Sequence, residues 1–218
     1  MSLAVNDDNQ VTIAAAGAIP SLVQLLGTGS PPGVQKSAAG VLMSLALNDD
    51  NKATIAAAGA IPALVQLVGA GSAADVQYEA AGALMNLFTN ADNKAKIVAD
   101  GAIPPLVQLL GAGSAELTQI RAARAVMNLS VNYENLVTIA AAGAIPLLVQ
   151  LLRPGSRAQE FAVGALMSLA LSADNKVTIA AVGAIPPLVQ LLGMTLQRRR
   201  SAGQREHCRA SLRTLRFR

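Results

Sequence analysis

The sequence predicts an all-α solenoid built from three-helix repeats of about 42 residues. Two observations carry that prediction. The tetrapeptide Gly-Ala-Ile-Pro stands at Gly17, Gly59, Gly101, Gly143 and Gly183, and successive glycines are 42, 42, 42 and 40 residues apart. The tetrapeptide lies inside longer matching segments, which marks an array whose units bury their apolar faces only against their neighbours. Aromatic residues make up only 2% of a chain that is 52% hydrophobic, so alanine, leucine and valine must fill the core.

Alignment on the tetrapeptide divides the chain into units 6–47, 48–89, 90–131 and 132–171, with a fifth from residue 172. In the second unit the first helix starts at the cluster Asn48, Asp49, Asp50, Asn51, whose short polar side chains can accept hydrogen bonds from the unpaired N–H groups of a helix start. Ile55 is its main apolar anchor. Gly59 suits the left-handed position that ends a helix, and Pro62 suits the first turn of the next one. The tetrapeptide is therefore a tight corner between two helices. The second helix places Leu64, Val65, Leu67 and Val68 on a broad apolar face interrupted by Gln66, and a glycine-rich break at 69–72 ends it. The third helix, 74–88, is the longest and sets Val76, Ala80, Ala83, Leu84 and Leu87 at three-and-four spacing.

Three helices per unit with this corner between the first and second resemble the armadillo repeat, over residues 6 to about 192. HEAT repeats have a related shape with two helices per unit. The asparagine-rich helix start also makes the units similar to those of plant U-box and vacuolar armadillo proteins. The resemblance implies a right-handed superhelix whose third helices line a concave groove, and a non-catalytic scaffold that binds an extended peptide or protein segment there. It also implies a groove-facing asparagine near the end of each third helix. The matching positions are Ser2, Ser44, Asn86, Asn128 and Ser168, so two of five keep the amide. Where importin-like arrays carry tryptophan, this chain has Gly40, Gly82, Arg124 and Gly164, which speaks against binding of nuclear-localisation signals. One turn earlier stand Ser37, Glu79, Arg121 and Phe161. The expected groove residues are thus Asn86, Asn128, Arg121, Arg124, Glu79, Ser44 and Ser168. Arg121 and Arg124 are either solvated or a fork for an acidic group of the ligand. The recurring glycines serve either close packing, the favoured reading, or an open groove floor.

Charge is unevenly placed. Residues 193–218 hold eight of the 17 basic residues, all arginine, and only Glu206 among acids, while the body carries nine basic against twelve acidic residues. This tail, which includes Arg198, Arg199, Arg200 and Arg205, is either an unrelated extension or a degenerate third helix with Cys208, Leu212 and Leu215 inward. Nucleic acid is expected to engage only the tail, through phosphate attraction. A third alternative is the substrate-recruiting part of a larger ubiquitin-ligase-type protein, although no U-box is visible.

No enzyme chemistry, cofactor or metal site is expected. The single histidine, His207, adjoins the single cysteine, Cys208, and neighbours on a helix point in different directions. One cysteine fits a reducing compartment, so a cytoplasmic or nuclear location is expected. Polar and helix-breaking residues interrupt every apolar run, so membrane insertion is not expected. Residues 1–10 carry Asp7 and Asp8 and no basic group, unlike a secretory signal. Residues 1–9 match 43–51, so the chain is expected to begin inside the third helix of a partial unit ahead of 6–47. That suggests a piece of a longer array, monomeric but prone to self-association through an uncapped end.

Overall fold

The computed structural model describes residues 7–69, 71–191 and 193. The first unit contains α1 (Asp7–Ala15), α2 (Ala18–Leu25) and α3 (Pro32–Leu45), and the second α4 (Asp49–Ala57), α5 (Ala60–Val68) and α6 (Ala74–Leu87). The third contains α7 (Ala91–Ala99), α8 (Ile103–Gln108) and α9 (Glu116–Leu129). The fourth contains α10 (Tyr133–Ala141), α11 (Ala144–Gln150) and α12 (Gln159–Leu169), and α13 (Ala173–Ala181) opens the fifth. Residues 185–191 are helical as well, and no strand occurs among the described residues. The expected readings of Ser2, the chain start and the arginine-rich tail fall outside the described residues.

The corner forms as its residue types require. Gly59 adopts φ 80°, ψ 22°, and Gly17, Gly101, Gly143 and Gly183 have φ between 76° and 81°. At Gly59 the chain turns through 87° between α4 and α5. At the helix starts, the side-chain oxygen of Asn48 accepts from the N–H groups of Asp50 and Asn51 at 3.0 and 3.2 Å. Asn90 accepts from Asn93, and Asn132 from Glu134. No single helix among the described residues is long and apolar enough to cross a membrane.

The core runs the length of the array. Ile55, Leu64, Val76, Ala80, Ala83, Leu84 and Leu87 are fully buried, and their counterparts Ile97, Leu106, Thr118, Ala122, Ala125, Val126 and Leu129 are buried one unit on. Burying each leucine contributes about 1.5–3 kcal/mol. Successive third helices stack directly, α3 on α6, α6 on α9 and α9 on α12.

Two sets of side-chain amides brace the array, glutamines within each unit and asparagines between successive units. Gln35, Gln77, Gln119 and Gln159, near the start of each third helix, donate to the carbonyls that end the preceding second helix, at 2.6–2.9 Å to Gly27, Gly69, Gly111 and Arg153. These carbonyls have no partner within their own helix. Asn51 donates to Gln10 and Leu45, and Asn93 to the Lys52 carbonyl of the unit before it, from buried positions.

The backbone geometry predicts opposite signs for the same substitution at two glycines. Gly59→Ala should destabilise by about 1–2 kcal/mol, because alanine is strained in the left-handed region although no atom obstructs its Cβ. Gly40→Ala should stabilise by up to about 0.5–1 kcal/mol, because Gly40 lies inside α3 and an added Cβ meets only the Glu79 side chain at ordinary contact distances of 3.6–3.9 Å. Denaturant midpoints at unchanged slope measure both. Shifts of the same sign would contradict the assignment.

Candidate binding face on the third helices

Residues three and four apart share a helix face, and stacking α3, α6, α9 and α12 joins four such faces into one ladder. All seven expected groove residues lie on these four helices and are not fully buried. Their surroundings divide them into two groups.

Asn86, Arg121 and Glu79 are engaged by the protein itself. The Asn86 amide donates to the Met43 carbonyl on the preceding third helix at 2.8 Å. Arg121 reaches from α9 to α6, where Nη1 donates to the Tyr78 carbonyl at 2.6 Å and pairs with Glu79 Oε2 at 3.2 Å. Its guanidinium lies over the Tyr78 ring, 3.4 Å from the centroid. The Arg121 and Glu79 side chains are 15% and 19% exposed, so this pair is largely withdrawn from water. Gly82 makes room for it. A Cβ there would approach Arg121 Cζ to 2.8 Å and Met43 Sδ to 2.5 Å, distances at which atoms collide. A Cβ at Gly164 would likewise come within 2.6 Å of Met127 Sδ. The glycines at 82 and 164 are therefore filled by side chains of a neighbouring third helix and do not form an open floor.

Arg124, Asn128 and Ser168 are left facing outward. Arg124 is exposed, with its guanidinium 5.9 Å from the Phe161 ring centroid. Arg121 and Arg124 share a face of α9 but do not act as one fork, because Arg121 is turned to Tyr78 and Glu79. Asn128 is half-buried, and its side-chain amide makes no hydrogen bond among the described residues. Ser44 returns its hydroxyl to the Gly40 carbonyl of its own helix. Ser168 is half-buried on α12.

Charge is balanced along the first part of the ladder. Lys36 on α3 pairs with Asp75 on α6 at 3.2 Å. The hydrogen bond from the Lys36 ammonium holds the Asp75 carboxyl below its usual range. The sequence reading missed Tyr78, whose main chain and ring both receive Arg121. Its only signal was its place beside Glu79 in the repeat alignment. Off the ladder, an open cleft of about 460 Å³ between α7 and α10 contains Lys94 and Glu134. The Lys94 ammonium reaches the Asn128 carbonyl at 3.5 Å, close to the negative end of α9. No group of three or more histidine, cysteine, aspartate or glutamate side chains able to hold a metal occurs among the described residues.

Stacked three-helix units with a shared third-helix face define a helical-repeat protein of the armadillo class. The chain belongs to that family, since the armadillo/beta-catenin-like repeat model matches residues 6–46, 48–89 and 90–131, more than half its length. Solved structures agree. An engineered protein is 33% identical with a TM-score of 0.78, and a designed armadillo repeat protein is 29% identical with a TM-score of 0.76. A second designed armadillo repeat protein, solved in complex with the peptide (KR)4, is 30% identical with a TM-score of 0.75. Each alignment covers 87% of this chain and 80% of the other. No curated protein sequence matches the chain.

The Glu79–Arg121 pair is expected to be coupled. In a double-mutant cycle with Glu79→Gln and Arg121→Met, the interaction energy should be about 1 kcal/mol, above the level of an exposed pair because both groups are mostly buried. Additive effects within about 0.3 kcal/mol would show that the pair is not formed in solution.

Proposed function

We propose that the chain is a non-catalytic protein-interaction scaffold that holds an extended peptide or protein segment along its third-helix face. The observation that carries this reading is the ladder itself. Four stacked helices present one face, and in its α9–α12 portion Arg124, Asn128 and Ser168 make no side-chain hydrogen bond or ion pair among the described residues. An extended backbone offers donors and acceptors in turn, and a carboxamide supplies both. Membership of the armadillo family supports the reading, as do the designed relative in complex with (KR)4 and a second neighbour described as designed for modular peptide recognition, 29% identical with a TM-score of 0.78. The scaffold would act as a monomer in the cytoplasm or nucleus, with nucleic acid left to the arginine-rich tail.

A partner segment recovered by affinity capture allows the face to be tested. Asn128→Ala should weaken binding by about 0.5–1.5 kcal/mol, the net worth of a hydrogen bond, without moving the thermal midpoint. Lys176→Ala, at an exposed position on α13 away from the ladder, should leave binding unchanged. Equal losses in the two variants, measured by calorimetry, would place the site elsewhere.

A further inference from the structure

We infer that the segment held on this face is acidic, and that one of its carboxylates meets Arg124 at the step from α9 to α12. This inference rests on the scaffold reading above and names the chemistry of its ligand.

Opposite charges meet between the first three of the stacked third helices. From α3 to α6, Lys36 meets Asp75 at 3.2 Å. From α6 to α9, Glu79 meets Arg121 at 3.2 Å. From α9 to α12 the pattern stops, because Phe161 holds the repeat position that Glu79 and Arg121 hold in the units before it. Arg124 therefore faces an aromatic ring 5.9 Å away, and no carboxylate among the described residues pairs with it. The ring restrains the guanidinium and gives it an apolar flank, and a charge pair beside low-dielectric surface is stronger than one fully in water. One turn along α9 lies Asn128, with its amide uncommitted. On α12, Met167 is 70% exposed and Phe161 is only half-buried, so an apolar ligand residue next to the acidic one has a surface to cover. The complementary ligand is an extended segment with Asp or Glu close to a large apolar side chain.

The test is selection of a random eight-residue peptide library on the full-length chain, in the wild type and in Arg124→Gln. The wild type should enrich peptides carrying Asp or Glu within two residues of an aromatic or large aliphatic residue. The best of these, made synthetically, should bind Arg124→Gln about tenfold more weakly. Both chains keep the eight arginines of residues 193–218, so acid enrichment that persists unchanged in Arg124→Gln would assign the attraction to other cations and overturn the inference. Neutral or basic peptides that bind the wild type and are weakened by Asn128→Ala would overturn the acidic preference while leaving the scaffold reading standing. Failure to enrich any peptide would remove both.

Discussion

The shared face of the third helices depends on how closely those helices approach one another, and small residues on them permit a close approach. Ala38, Ala39, Ala80, Ala81, Ala83, Ala122, Ala123, Ala125, Ala162 and Ala165 are all buried on the stacked helices α3, α6, α9 and α12. Protein interiors are close-packed, so bulkier residues at these positions would force the helices apart. At this separation a side chain on one third helix can reach the backbone of the one before it, as Arg121 reaches the Tyr78 carbonyl and Asn86 the Met43 carbonyl.

The same closeness decides which polar groups remain for a ligand. Where a glycine opens a notch, a neighbouring third helix fills it, with Arg121 and Met43 at Gly82 and Met127 at Gly164. Where the glycine is replaced by Arg124, the side chain has no notch to enter and projects over Phe161. The face is therefore closed by internal contacts over α6 and open over α9 and α12. The amide ties at Gln35, Gln77, Gln119 and Gln159 hold each third helix against the end of its second helix, which keeps the ladder in register.

Much of the fold was legible in the sequence because its determinants are local and repeated. A left-handed corner requires glycine, a helix start favours asparagine, and the apolar spacing of Val76, Ala80, Ala83, Leu84 and Leu87 was enough to identify the buried face of α6. The placement of the ladder on the third helices came instead from the resemblance to the armadillo repeat. The partners of the ladder residues were not legible, because they depend on contacts across a repeat. Nothing near Arg121 in sequence shows that its guanidinium lies on Tyr78, 43 residues earlier. Gln77 and Asn93 recur at the repeat spacing, yet recurrence does not reveal which carbonyl each one meets.

The central claim is that a ligand lies along the third helices and is anchored at α9 and α12. The chain supplies its own reporters, since four of its six methionines, Met43, Met85, Met127 and Met167, stand one on each third helix at equivalent positions. Methyl NMR of these methionines during titration with a library-selected peptide is the most direct measurement. The account predicts the largest shifts at Met127 and Met167 and the smallest of the four at Met43. Shifts confined to Met1 or Met194, with all four ladder methyls unmoved, would contradict it.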